Sequence, residues 1–165
     1  MLKRFGIAVL LIAAAPAALA AKDKADDAVS AEAFAFEHVS CTGAPNEIRI
    51  VVTGVKKAQG LITADLFPND QEKFLHGRGR LAQVRFAAKA PMTQFCLDAP
   101  EAGQFAISVY HDENANKKFD KTAIGLPAER WGLSNNPKVV LAPPPVDKAL
   151  FDVTADGAEV YIRLN

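Results

Sequence analysis

The chain has 165 residues, half of them hydrophobic, with 19 basic and 19 acidic side chains. That length and apolar content suit one globular domain with a true core and exclude global disorder. Balanced charge without a broad basic patch gives no footing for nucleic acid or for electrostatic docking on anionic lipid.

The first twenty residues have the layout of an export signal. Met1–Arg4 is a basic start, Phe5–Ala15 an apolar stretch, and Ala18-Leu19-Ala20 an A-x-A cleavage site preceded by the helix-breaking Pro16. The rival reading is an uncleaved anchor, but Phe5–Ala21 falls just short of a membrane span and its end is alanine-rich. Cleavage near Ala20/Ala21 leaves 17 basic and 19 acidic residues, a periplasmic or secreted protein, and no stable membrane insertion. An oxidising compartment favours a disulfide between Cys41 and Cys96, closing a loop of 55 residues and adding roughly 4 kcal/mol. The alternative is two separate buried thiols. No C-x-x-C is present to suggest redox or zinc chemistry.

Residues 21–40 are expected to form a flexible leader, and 41–165 a single domain. From Glu47 the apolar period becomes two. EIRIVVT and LITADLF each place alternate residues on one face, with Gly54 and Gly60 bracketing a turn that reads as a hairpin. Pro68 stops the second strand, and Asn69 is a candidate cap for one or two helical turns through DQEKFLH. RLAQVRFAA, TQFCLD, QFAISVY, ALFDVT and EVYIRL follow, separated by Lys89-Ala90-Pro91, Pro100 with Gly103, and Asp156-Gly157. Cys96 falls on the face opposite Phe95 and Leu97. About seven strands with almost no helix predict an all-β, antiparallel β-sandwich, immunoglobulin-like or transthyretin-like, with one face of each sheet in the core and the other in water.

The interval 111–147 contains no recognisable strand, and a connection this long in a compact domain is usually functional. Phe119, Ile124, Leu126, Trp131 and Leu133 need packing partners, so an ordered loop over one end of the sandwich is expected. Asp112, Asn114, Asn116 and Asp120 follow D-x-N-x-N-x-x-x-D, a spacing that turns several oxygens, with the Lys118 carbonyl, toward one calcium ion. The glycine usual at the sixth position is Lys117, and Ala123 stands where a bidentate glutamate belongs, leaving Glu129 to supply it. With lysines nearby, affinity would be weak, on the order of 10⁻⁴ to 10⁻³ M. The alternative is an Asx-rich turn bonded to its own backbone.

YHDENANKKFD (110–120), IGLPAERWGLSNN (124–136), Pro143-Pro144-Pro145 followed by KALFDV, and GLITADLFPND together resemble the bacterial exported family catalogued as domain of unknown function 2141. The resemblance spans Cys41–Asn165 and implies a β-sandwich in a bacterial envelope. It implies no activity, since the family has none assigned. The family commonly carries glycine where Lys117 stands.

For function, the expected reading is a non-catalytic envelope module, binding or structural, with no catalytic residues. Its ligand or partner would be an envelope protein, a peptide or a carbohydrate, contacted through His111, Trp131, Ser134, Asn135 and Asn136. Trp131 reads either as a core plug or as a stacking platform. The alternative is an envelope hydrolase assembled from His111, Asp112, Glu129 and Ser134, although no nucleophile-elbow motif frames Ser134. The three histidines, His38, His76 and His111, are too scattered for a transition-metal motif.

Overall fold

A computed structural model of the chain describes residues 41–139 and 142–165. The expected signal peptide and leader lie outside those residues. The described part is a two-layer β-sandwich of eight strands: β1 (Glu47–Thr53), β2 (Leu61–Pro68), β3 (Ala82–Ala87), β4 (Met92–Asp98), β5 (Gly103–Asp112), β6 (Trp131–Leu133), β7 (Phe151–Val153) and β8 (Ala158–Arg163). One sheet has the order β4-β1-β8; the other runs β3-β2-β5-β6, with β7 also paired to β5.

Between the sheets, strand alternation builds the core. Ile48, Ile50 and Val52 of β1 face Ile62, Ala64 and Leu66 of β2, with Phe95, Leu97, Phe105, Ile107, Val109, Val160 and Ile162 completing one buried cluster. Phe86 and Phe95 stack across the interior at 4.4 Å. The larger aliphatic and aromatic side chains of this cluster, each contributing roughly 1.5–3 kcal/mol on burial, explain why the pattern of period two folds.

Three expectations about connectivity are corrected. The β1–β2 connection is not a hairpin: β1 already has β4 and β8 on its two edges, and the chain arches from residue 54 to residue 60 into the other sheet. The β1–β8 pair is parallel, so the sandwich is not wholly antiparallel. Its cause is the turn after β7. Gly157 sits so tightly on the start of β1 that a Cβ there would lie 2.3 Å from the Glu47 carbonyl oxygen, so β8 starts where β1 starts. Finally, residues 71–75 form turns rather than a helix. Asp70, not Asn69, caps them, its Oδ1 accepting the Glu72 and Lys73 amides at 2.9 and 3.3 Å. Asn69 reaches instead to Gln104.

Cys41 and Cys96 are bonded, with Cα atoms 5.3 Å apart. The Glu47 carboxylate accepts the Thr42 and Gly43 amides at 2.7 and 3.0 Å, so the segment before β1 is held at two points. Those bonds, led by the one from Thr42, hold the Glu47 carboxyl below its ordinary value. The disulfide points to an oxidising, extracytoplasmic compartment. Among the described residues, no helix is long and apolar enough to cross a membrane.

Candidate functional site

The long connection is where structure departs most from expectation. β5 continues through Asp112, and residues 131–133 form β6 on its edge, so the interval is not strandless. Nor is the outer face of this sheet left to water. Every residue of β2 from Leu61 to Phe67 is buried. At one end, Phe67, Phe74, Ala106, Leu133, Val146 and Ala149 form a second apolar cluster on that face. Across its middle, register aligns Arg85, Thr63, Tyr110 and Trp131 in one row and Gln83, Asp65, Ser108 and Leu133 in the next.

Over this polar and aromatic row folds the segment after Asp112. Asp112 is fully buried. Its Oδ1 accepts the Asn116 amide at 3.0 Å and its Oδ2 the Lys117 amide at 2.7 Å. Asn114 Oδ1 takes the Asn116 amide as well, and Asn116 Oδ1 the Lys118 amide. Such a turn needs left-handed backbone, supplied by Ala115 at φ 56° and Lys117 at φ 63°. Both are strained choices, since each residue carries a Cβ. Asp120 Oδ2 then accepts both Asn114 Nδ2 at 3.0 Å and Asn116 Nδ2 at 2.8 Å, while its own amide donates to Glu129 Oε2 at 3.1 Å.

Five of the six proposed calcium ligands (Asp112, Asn114, Asn116, Asp120, Glu129) are therefore linked in one hydrogen-bonded network, and Lys118 lies on the same turn. Two features measure the fit. Burial, followed by the neighbouring Asp112, Asp120 and Glu113 carboxylates, raises the Glu129 carboxyl from 4.5 to about 7. A cation there would relieve that repulsion. Against it, the Asn114 and Asn116 amide groups present nitrogen to Asp120, and the three carboxylates do not converge as a ready trio. Among the described residues the trio that does is Cys41, Glu47 and Cys96, two of whose atoms are the disulfide sulfurs.

The remaining site residues go to different places. His111 is fully buried; it shares the inward phase of Val109 and Ile107, and its Nε2 is bonded to the Gln59 carbonyl at 2.8 Å. Ser134, also fully buried, accepts the Ile107 amide at 2.9 Å and donates to the Ala149 carbonyl. Asn135 donates to the Leu150 carbonyl, and Asn136 bonds Tyr161 and Arg163 of β8 at 2.8 and 2.7 Å. These three stitch the loop to its surroundings. Ser134 pairs beside Ile107, four residues along β5 from His111, or about 13 Å of extended strand. The two are bonded to backbone rather than to each other.

Trp131 belongs to the outer face. Phe119 packs between Tyr110 and Trp131, with ring centroids 5.2 and 6.5 Å away. Residues 121–127 form a small flap, closed by the Thr122 amide bond to the Leu126 carbonyl at 2.8 Å and by the Lys121–Pro127 bridge. Under it lies a cleft of about 660 Å³, floored by the Tyr110–Phe119–Trp131 aromatics and flanked by Arg80, Arg85 and Lys121. Sequence reasoning missed Arg80, Arg85 and Tyr110. The signal that could have found them is register: Thr63, Arg85 and Tyr110 occupy outward phase on strands whose inward phase is apolar.

The model of a family described as an uncharacterised protein conserved in bacteria, DUF2141, matches residues 50–161. No curated protein and no solved structure gives a match. The matched span takes in the second half of β1, the outer-face row, the Asx-rich turn, the flap and the start of β8, more than half of the chain, and the chain belongs to this family.

Proposed function

We propose that the protein is a non-catalytic, exported binding module of the bacterial envelope, delivered to the periplasm by its first twenty residues. The observation that carries this reading is the cleft on the outer face of the five-stranded sheet, roofed by an ordered loop. A connection that merely joined two strands would not enclose a hollow of about 660 Å³ with three aromatic rings on its floor. In this reading Asp112, Asn114, Asn116, Asp120, Glu129 and the Lys118 carbonyl hold the roof, with calcium binding weakly among them once the two asparagine amides turn their oxygens inward. Trp131 is a stacking surface rather than a plug. His111, Ser134, Asn135 and Asn136 hold the scaffold. Chemistry of the hydrolase kind has no support here, since Ser134 and His111 are separately bonded to backbone.

The test is thermal unfolding of the exported chain, disulfide intact, in chelator and in millimolar calcium. A calcium-held roof gives a melting temperature that rises with calcium, by up to roughly 2.7 kcal/mol of stability at 100 times the dissociation constant. Asp112→Asn removes the response. A melting temperature indifferent to calcium leaves the turn held by its own hydrogen bonds and removes the ion from the reading.

A further inference from the structure

The lining of the cleft carries more information than its existence. Five cationic residues, Arg80, Arg85, Lys117, Lys118 and Lys121, line it, against a single carboxylate, Asp65. That carboxylate is already engaged, its Oδ1 accepting Gln83 Nε2 at 2.7 Å and lying 3.3 Å from Arg80 Nη1. Asp112, Asp120 and Glu129 are not among the residues that line it. The local field is therefore positive although the protein as a whole is balanced.

Arg85 is the sharpest feature. It stands in the outer-face row with Thr63 and Tyr110, and its Nη2 donates to Gln83. Its Nε–H is buried and has no hydrogen-bond partner. A buried donor left unsatisfied on a guanidinium costs free energy, so a shift of the Arg85 side chain that lets an acceptor reach it is favoured. Beside it, the Tyr110, Phe119 and Trp131 rings offer flat apolar surface. An anionic head on Arg85, with a planar apolar body against these rings, satisfies both halves of the site.

We propose that this cleft binds small carboxylates carrying a flat apolar body, the carboxylate accepting from Arg85 and the body stacking on Trp131 and Phe119. Lys121 on the exposed flap adds attraction at the mouth. The inference rests on the binding-module reading but not on the calcium part of it.

Trp131 is the only tryptophan in the chain, so its fluorescence, excited at a wavelength that phenyl groups do not absorb, reports directly on the cleft. Three probes of one shape separate the outcomes: 3-phenylpropionate, 3-phenylpropanol and 3-phenylpropylamine, each titrated in calcium and in chelator. The expected result is a saturable change with the carboxylate, at least about tenfold tighter than with the alcohol and weakening with salt. Arg85→Met should remove that preference. Lys121→Glu, on the exposed flap where folding is not at stake, should weaken the carboxylate several-fold while leaving the alcohol unchanged. Equal binding of alcohol and carboxylate, or a preference for the amine, overturns the anion assignment while leaving a binding cleft. No saturable change with any of the three overturns both the assignment and the binding-module reading.

Discussion

Glu129→Gln tests whether the roof of the cleft is electrostatically loaded. In the native protein the Glu129 carboxyl is raised from 4.5 to about 7, first by burial and then by Asp112, Asp120 and Glu113. Because the folded value lies above the unfolded one, the associated stability is fully present below about pH 4.5. It is lost as the pH rises through about 7. That displacement corresponds to about 3 kcal/mol if fully expressed. Glu129 keeps partial contact with solvent, and screening brings the expected effect to about 1–2 kcal/mol. Glutamine retains an oxygen to accept the Asp120 amide but carries no charge, so it should leave the acid limb unchanged and remove the loss. For a body of this size, 1 kcal/mol is about 4 °C. Thermal unfolding of both proteins in chelator from pH 4 to pH 8 should therefore show melting temperatures that nearly coincide at pH 4 and separate by about 4–8 °C at pH 8, glutamine higher. Saturating calcium should narrow the gap by giving the wild-type carboxylate a counter-charge. Parallel curves across the range would refute the reading that burial and the neighbouring carboxylates raise the Glu129 carboxyl.

Reducing the Cys41–Cys96 bond, or replacing Cys96 with alanine, should lower stability by up to about 4 kcal/mol, since the closed loop spans 55 residues; urea unfolding with and without reductant measures it. Gly132→Ala should cost about 1–3 kcal/mol in the same assay, because a Cβ there would stand 2.5 Å from the Arg163 carbonyl oxygen and force β6 off β8. Lys117→Gly should act oppositely, gaining about 1 kcal/mol by relieving a left-handed residue at φ 63°; an unchanged melting temperature would show that the turn is unstrained.

The sandwich itself was legible because its signal is local. Inward residues at period two, such as Ile48-Ile50-Val52 and Phe105-Ile107-Val109, can be read from a strand in isolation. The disulfide was legible too, since the expected export and two cysteines leave one pairing, and strand phase placed Cys96 away from the core. The Asx-rich turn announced itself by spacing, and the structure closes it through Asp112 and Asp120.

Whether consecutive strands pair or cross between sheets depends on which edges are already taken, and that is not written in either strand. Hence β1 and β2 read as a hairpin but belong to different sheets, and β8 lies parallel to β1. Ser134, Asn135 and Asn136 carry polar groups suited to a ligand or to backbone, and only the fold supplies the backbone partners they bond, Ile107, Leu150 and Arg163. The cleft is a tertiary object in the strictest sense. Arg85, Tyr110 and Trp131 come from three strands separated by up to 46 positions, and only cross-strand register sets them in one row. Local chemistry along the chain determined the strands, the disulfide and the turn; the shared outer face, and with it the cationic aromatic cleft, exists only because long-range pairing assembles it.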